Sequence, residues 1–131
     1  MGKLPKRSRT RLRIDSLDQR FSKCIRLRDK KCQRCGSRES LQCMHLVSRR
    51  YMGTRFDPDN ALTGCAACHV YLTYRPLEHD EFVVAKVGQE KYDALKAKAR
   101  EYEESVRKGA DKIDRSATSH WLTRWLRELG G

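Results

Sequence analysis

The sequence predicts an α+β domain: a small cysteine-stapled hairpin core flanked by helices, behind a basic N-terminal arm. Three observations carry this. Cys32/Cys35 and Cys65/Cys68 form two Cys-x-x-Cys pairs, the spacing at which two turns aim four sulfurs at one tetrahedral ion. Between them, "LQCMHLV" alternates as a strand does, and glycines and aromatics replace helix formers. On either side, apolar residues recur at three- and four-residue spacing, the mark of amphipathic helices.

The totals agree. A chain of 131 residues suits one domain. With 35% charged and 38% hydrophobic residues, it builds a small core that benefits from a staple. The formal net charge is +12, which points to a polyanionic partner: DNA, RNA or an acidic membrane surface. No run of eighteen apolar residues exists, and no apolar stretch follows the basic start as a secretory signal requires. The expected setting is the reducing cytoplasm, where six cysteines suggest a metal before disulfides.

In chain order, residues 1–14 read as a disordered basic arm. Lys3, Lys6, Arg7, Arg9, Arg11 and Arg13 have no apolar periodicity between them. Such arms bind nucleic acid through phosphates and counterion release. Residues 15–109 read as the central domain. "SLDQRFSKCIRLRDKK" is expected to be a helix capped by Asp15 or Ser16, with Leu17, Phe21, Cys24, Ile25 and Arg28 on one stripe and Cys24 as a core thiol. The first knuckle follows, with Gly36 where a tight turn needs positive φ. Zn²⁺ is the expected ion, and four thiolates leave it no open position, so its role is structural.

The insert between the knuckles reads as a strand, a loop and a second short strand. Gly53 and Asp57-Pro58 are turn signals in the loop "SRRYMGTRFDPDN". Cys43 alternates with His45, so both face one side, Cys43 as a packing residue. A helix is expected to begin near the second knuckle. Beyond it, a helical stretch breaks near Gly88, with Leu95, Ala99 and Tyr102 on the inner face. Residues 110–131 read as a C-terminal amphipathic helix capped at Ser116 or Ser119. Its stripe of Trp121, Leu122, Trp125, Leu126 and Leu129 is expected to dock on the core, the alternative being a second copy or a partner protein. His79 and His120 read as surface or structural histidines.

The order His45, Asn60, His69, with "DNALTGCAACH", resembles the HNH nucleases and their ββα-metal fold. "FSKCIRLRD", "CQRCG", "LQCMHLVSRRYMGTRFDPDNA" and "CAACHVYL" together resemble the NinG/Rap recombination endonucleases of lambdoid phages, over roughly residues 15–105. The resemblance implies a metal-dependent DNA endonuclease acting on branched recombination intermediates, such as Holliday junctions or D-loops. It assigns His45 as general base, Asn60 as the residue orienting that base by a hydrogen bond, and His69 as a ligand to a catalytic Mg²⁺ or Mn²⁺. Arg49, Arg50 and Arg55, in the loop, become phosphate clamps. A homodimer and contacts with phage or host recombination proteins fit the same setting. Met44 departs from the pattern, since many HNH enzymes carry a metal-binding Asp there and methionine cannot hold Mg²⁺. It leaves open whether His45 binds metal instead, and whether Asp57, Asp59 or His79 completes the shell. The rival reading is a non-catalytic zinc-stapled nucleic-acid-binding module, or a recombination adaptor using the Trp121/Trp125 helix.

Overall fold

The structure, a computed structural model, describes residues 14–131, so Arg7, Arg9, Arg11 and Arg13 lie outside the described residues. Asp15 opens α1 (Ser16–Asp29) with a capping box: its carboxylate accepts from the Leu17 and Asp18 amides at 3.0 Å, and Asp18 accepts from the Asp15 amide at 3.0 Å. Leu17, Phe21, Cys24 and Ile25 are all buried, as the stripe requires. The helix stops where Lys30 turns left-handed at φ 68°.

β1 (Leu41–His45) and β2 (Ala61–Cys65) form an antiparallel hairpin, with Leu41 opposite Cys65 and His45 opposite Ala61. The helix α3 (Ala66–Thr73) follows β2 directly, with Cys65 as its N-cap residue. The hairpin is tied to α1 by side chains. Arg28 donates to the carbonyls of Pro58 (2.9 Å) and Ala61 (2.8 Å), and Asp29 accepts from the Thr63 amide at 2.9 Å. Thr63, fully buried, donates its hydroxyl to the Ile25 carbonyl at 3.1 Å.

The expected open loop between the strands is partly helical: α2 (Met52–Arg55), then a 3₁₀ turn at Pro58–Asn60 capped by Asp57. Gly53 is therefore not a turn residue. It lies in α2, where a Cβ would come within 2.5 Å of the Tyr102 Cβ, so its role is close approach. Its neighbour in that contact belongs to α5 (Gln89–Arg107), which follows α4 (Pro76–Val87) after a break at Gly88, φ 91°. Leu46, Val83, Tyr92 and Leu95 make a second small core there.

The last helix, α6 (Arg115–Glu128), is capped by Asp114 rather than Ser116 or Ser119; the Asp114 carboxylate accepts from the Ala117 amide at 3.0 Å. Its stripe docks on α1. Leu122 is fully buried, and Trp121, Trp125, Leu126 and Leu129 pack on the same cluster. Arg20 on α1 donates to the Ser119 hydroxyl at 2.8 Å across this contact. Among the described residues, no helix is long and apolar enough to cross a membrane.

Candidate functional site

The candidate metal centre is built by two knuckles. In the first, the amides of Arg34 and Cys35 donate to Cys32 Sγ at 3.4 Å, and the Gly36 amide closes the turn on the Cys32 carbonyl at 2.9 Å. Gly36 takes φ 83°, the left-handed value expected of it. The second knuckle is the junction of β2 and α3. The ligand atoms of Cys32, Cys35, Cys65 and Cys68 all lie within 4.8 Å of one another. Cys35 and Cys65 Sγ are 3.7 Å apart, against about 3.8 Å for the edge of a tetrahedron of zinc–sulfur bonds. The donor set therefore fits Zn²⁺ and closes around it.

Burial raises Cys32, but the amides of Cys35, Cys65 and Arg34 outweigh it and bring that thiol down to about 6. Burial and the neighbouring thiols push Cys68 up to about 12, against the pull of Arg34, whose guanidinium donates to Cys68 Sγ at 3.3 Å. A bound divalent cation would supply the positive charge that lets all four sulfurs ionise together. The other two cysteines stand apart. Cys24 donates weakly to the Leu122 carbonyl at 3.8 Å, and burial pushes Cys43 up to about 12, which keeps it a protonated packing residue.

A cleft of about 1040 Å³ runs along β1, with Asp18, Gln42, His45, Arg49, His69 and His79 among its lining residues. Two of the histidines read from the sequence are thus brought to one cavity. His45 Nε2 lies 2.9 Å from the Arg55 carbonyl. A carbonyl only accepts, so Nε2 carries the proton and Nδ1 keeps its lone pair. The ring sits beside Phe21, with centroids 5.7 Å apart. Burial lowers its pKa from 6.5, more than the Arg55 carbonyl and Asp18 raise it. A neutral imidazole with one accepting nitrogen is the form a general base needs. His69, in the first turn of α3, donates from Nδ1 to Gln42 Oε1 at 2.7 Å, leaving Nε2 with its lone pair. Burial lowers its pKa too, which favours the neutral ring.

Other assignments change. Asn60 is fully buried, but its amide does not orient His45. Oδ1 accepts from the Val47 amide at 2.8 Å, and Nδ2 donates to the carbonyls of Val47 (3.0 Å) and Thr54 (3.1 Å). It closes the loop; the Arg55 carbonyl orients the ring. Arg55 is not a phosphate clamp, since its guanidinium is 6% exposed and engages Asp18 through two nitrogens, Nε at 2.9 Å. Arg49 lies on the cleft wall, 3.7 Å from the same carboxylate, and Arg50 is exposed beside it. Met44 packs over Gly64, where a Cβ would meet its sulfur at 2.4 Å. Asp57 and Asp59 are not on this cleft's wall; they pair with Lys98 and Lys91 of α5. His79 is half-buried on the cleft wall, while His120 is exposed. Asp18 and Gln42 had drawn no functional reading. Asp18 looks like a helix cap, and its partner lies 37 residues away.

The pair has a measurable consequence. Asp18→Asn removes the carboxylate that pairs with the buried Arg55 guanidinium, an expected loss of about 3–5 kcal/mol in denaturant unfolding. A loss below about 1 kcal/mol, typical of exposed pairs, would contradict this.

The chain matches no protein-family profile, no curated protein and no solved structure.

Proposed function

We propose that this protein is a metal-dependent DNA endonuclease of the HNH class, akin to the NinG/Rap recombination nucleases. The observation that carries the reading is the shared cleft. His45, ending the first strand of a cysteine-stapled hairpin, lines it together with His69, in the helix that follows the second strand. One ring nitrogen of each is already engaged, His45 Nε2 by the Arg55 carbonyl and His69 Nδ1 by Gln42, which leaves the other for chemistry.

In this mechanism His45 Nδ1 takes a proton from the attacking water, while the Arg55 carbonyl fixes the tautomer and holds the ring. His69 Nε2 would hold the catalytic ion, and Arg49 on the cleft wall, with the exposed Arg50 next in the chain, would contact phosphates. Mg²⁺ or Mn²⁺ bound there supplies charge for the phosphate and the leaving 3′ oxygen. Among the described residues, the four cysteines are the one cluster of three or more His, Cys, Asp or Glu ligand atoms. A hard ion in the cleft would therefore draw most of its shell from water and phosphate, as Mg²⁺ commonly does. The zinc would hold the hairpin and do no chemistry.

Net charge +12 suits DNA. Ile14, where the basic arm joins the described chain, lies on the cleft wall. Branched recombination DNA is the proposed substrate, and a two-fold dimer would present two sites to a symmetric junction. The test is to incubate the zinc-loaded protein with labelled Holliday junction, D-loop and linear duplex, with and without Mg²⁺ or Mn²⁺. Metal-dependent strand cutting, greatest on branched DNA, is expected. Binding to all three without cutting any would leave a non-catalytic nucleic-acid-binding module.

A further inference from the structure

At the corner between α3 and α4, large apolar side chains stand in solvent. Val70 is 59% exposed, Tyr74 77% and Leu77 75%. This exposure belongs to a defined backbone. The Tyr74 amide donates to the Val70 carbonyl and the Arg75 amide to the Leu72 carbonyl, both at 3.3 Å, and Pro76 starts α4. Behind the tip, the Tyr71 ring lies between two guanidiniums, Arg34 at 4.3 Å and Arg75 at 4.1 Å from its centroid. Arg34 is itself anchored to the metal centre through Cys68. The residues between the exposed ones, Thr73 and Pro76, line the same cleft as His45 and His69. The ridge itself is not part of the cleft lining, but it adjoins the cleft through these two residues.

The chemistry of the ridge selects its occupant. Three exposed apolar residues are few beside the 20–30 residues that each partner gives a stable protein interface. A tyrosine and a leucine flanked by arginines match the surfaces that stack or wedge nucleobases while neutralising the backbone. A fully paired duplex offers such a ridge only stacked bases; a branch where single strands begin, as in a fork or a D-loop, offers unpaired ones.

We propose that Tyr74 and Leu77, with Arg75 and Arg34 beside them, form a wedge that stacks on an unpaired base where a DNA branch enters the cleft. This rests on the reading of the cleft as a DNA site, and it names the feature of branched DNA that the protein recognises.

The test uses binding, so it is independent of cleavage. The zinc-loaded protein is titrated, without added Mg²⁺ or Mn²⁺, against a forked duplex carrying 2-aminopurine at the branch and against the same sequence fully paired. Wild type is expected to prefer the fork and to change the probe's fluorescence on stacking. Tyr74→Ala and Leu77→Ala are each expected to weaken fork binding about tenfold, leave paired-duplex binding unchanged, and reduce the fluorescence response. Tyr74→Trp should retain all three properties. Both positions are exposed, so unfolding is not expected, and thermal melting checks it.

Three results would overturn the wedge. One is a wild-type fork preference that both alanine variants keep. Another is an equal loss on fork and paired duplex. The third is a wild-type dimer that Tyr74→Ala dissolves, which would make the ridge a contact between copies. Failure of wild type to bind any DNA would overturn both this proposal and the nuclease reading.

Discussion

Cys32→Ser is expected to release the metal and unfold at least the hairpin and first knuckle, with loss of most near-ultraviolet circular dichroism. The residues between α1 and β1 contain no helix or strand. Their main-chain order rests on a few bonds, such as the Cys32 amide to the Ser37 carbonyl (2.7 Å) and the Gln33 amide to the Thr63 carbonyl (2.9 Å). The cluster around Cys32, Cys65 and Cys68 adds only Leu41 as a packed hydrophobic neighbour, too little to organise that segment. Zinc binding to four such ligands contributes about 10–16 kcal/mol in small zinc domains, as much as the whole net stability of an ordinary domain, about 5–15 kcal/mol. Metal analysis should therefore find one zinc per chain in wild type and none in Cys32→Ser. The sign with pH follows from the thiols: binding displaces protons, so affinity falls as pH falls. Cys43→Ser, outside the cluster, should keep its zinc. Folded wild type without zinc, together with a Cys32→Ser variant as stable as wild type, would refute the metal centre.

Sequence alone revealed what is encoded locally. The two knuckles, the helical stripe of α1, the break at Gly88 and the inward face of α6 all depend on residues within a turn or two of one another, and each is present. The strand carrying His45 was legible because alternation is a two-residue signal. What escaped depends on long-range partners. Arg55 and Arg50 are indistinguishable in a basic loop, yet one is buried against Asp18 and the other exposed, because α2 turns the chain between them. Asn60 looked like a partner for His45, but the loop places the Arg55 carbonyl against the ring and spends the Asn60 amide on Val47 and Thr54. Gly53 reads as a turn until Tyr102, 49 positions later, is seen to occupy the space of its Cβ. The cap of α6 fell to Asp114, outside the serine-rich stretch, since a nearby carboxylate caps as well as a hydroxyl.

Under the proposed nuclease mechanism, His45→Ala is expected to lower the cleavage rate about 10²–10⁴-fold, the usual contribution of a positioned general base, while leaving DNA affinity near wild type. The pH dependence identifies its role. Nδ1 acts only while the ring is neutral, and burial holds the pKa below the ordinary 6.5. The wild-type rate at saturating metal should therefore be flat through neutrality. It should fall tenfold per pH unit only once the pH drops through that lowered value. The residual activity of His45→Ala should lack this limb. Since the ring also packs on Phe21, His45→Gln, which can still donate to the Arg55 carbonyl, serves as the folded control and is expected to be equally inactive. Metal titration then separates base from ligand. His69→Ala removes a proposed ligand, so its activity should recover towards wild type as Mg²⁺ is raised. His45→Ala removes the proton acceptor, which no amount of Mg²⁺ replaces. If excess Mg²⁺ restored His45→Ala instead, His45 would be the metal ligand, and the base would have to be sought elsewhere on the cleft wall, beginning with His79.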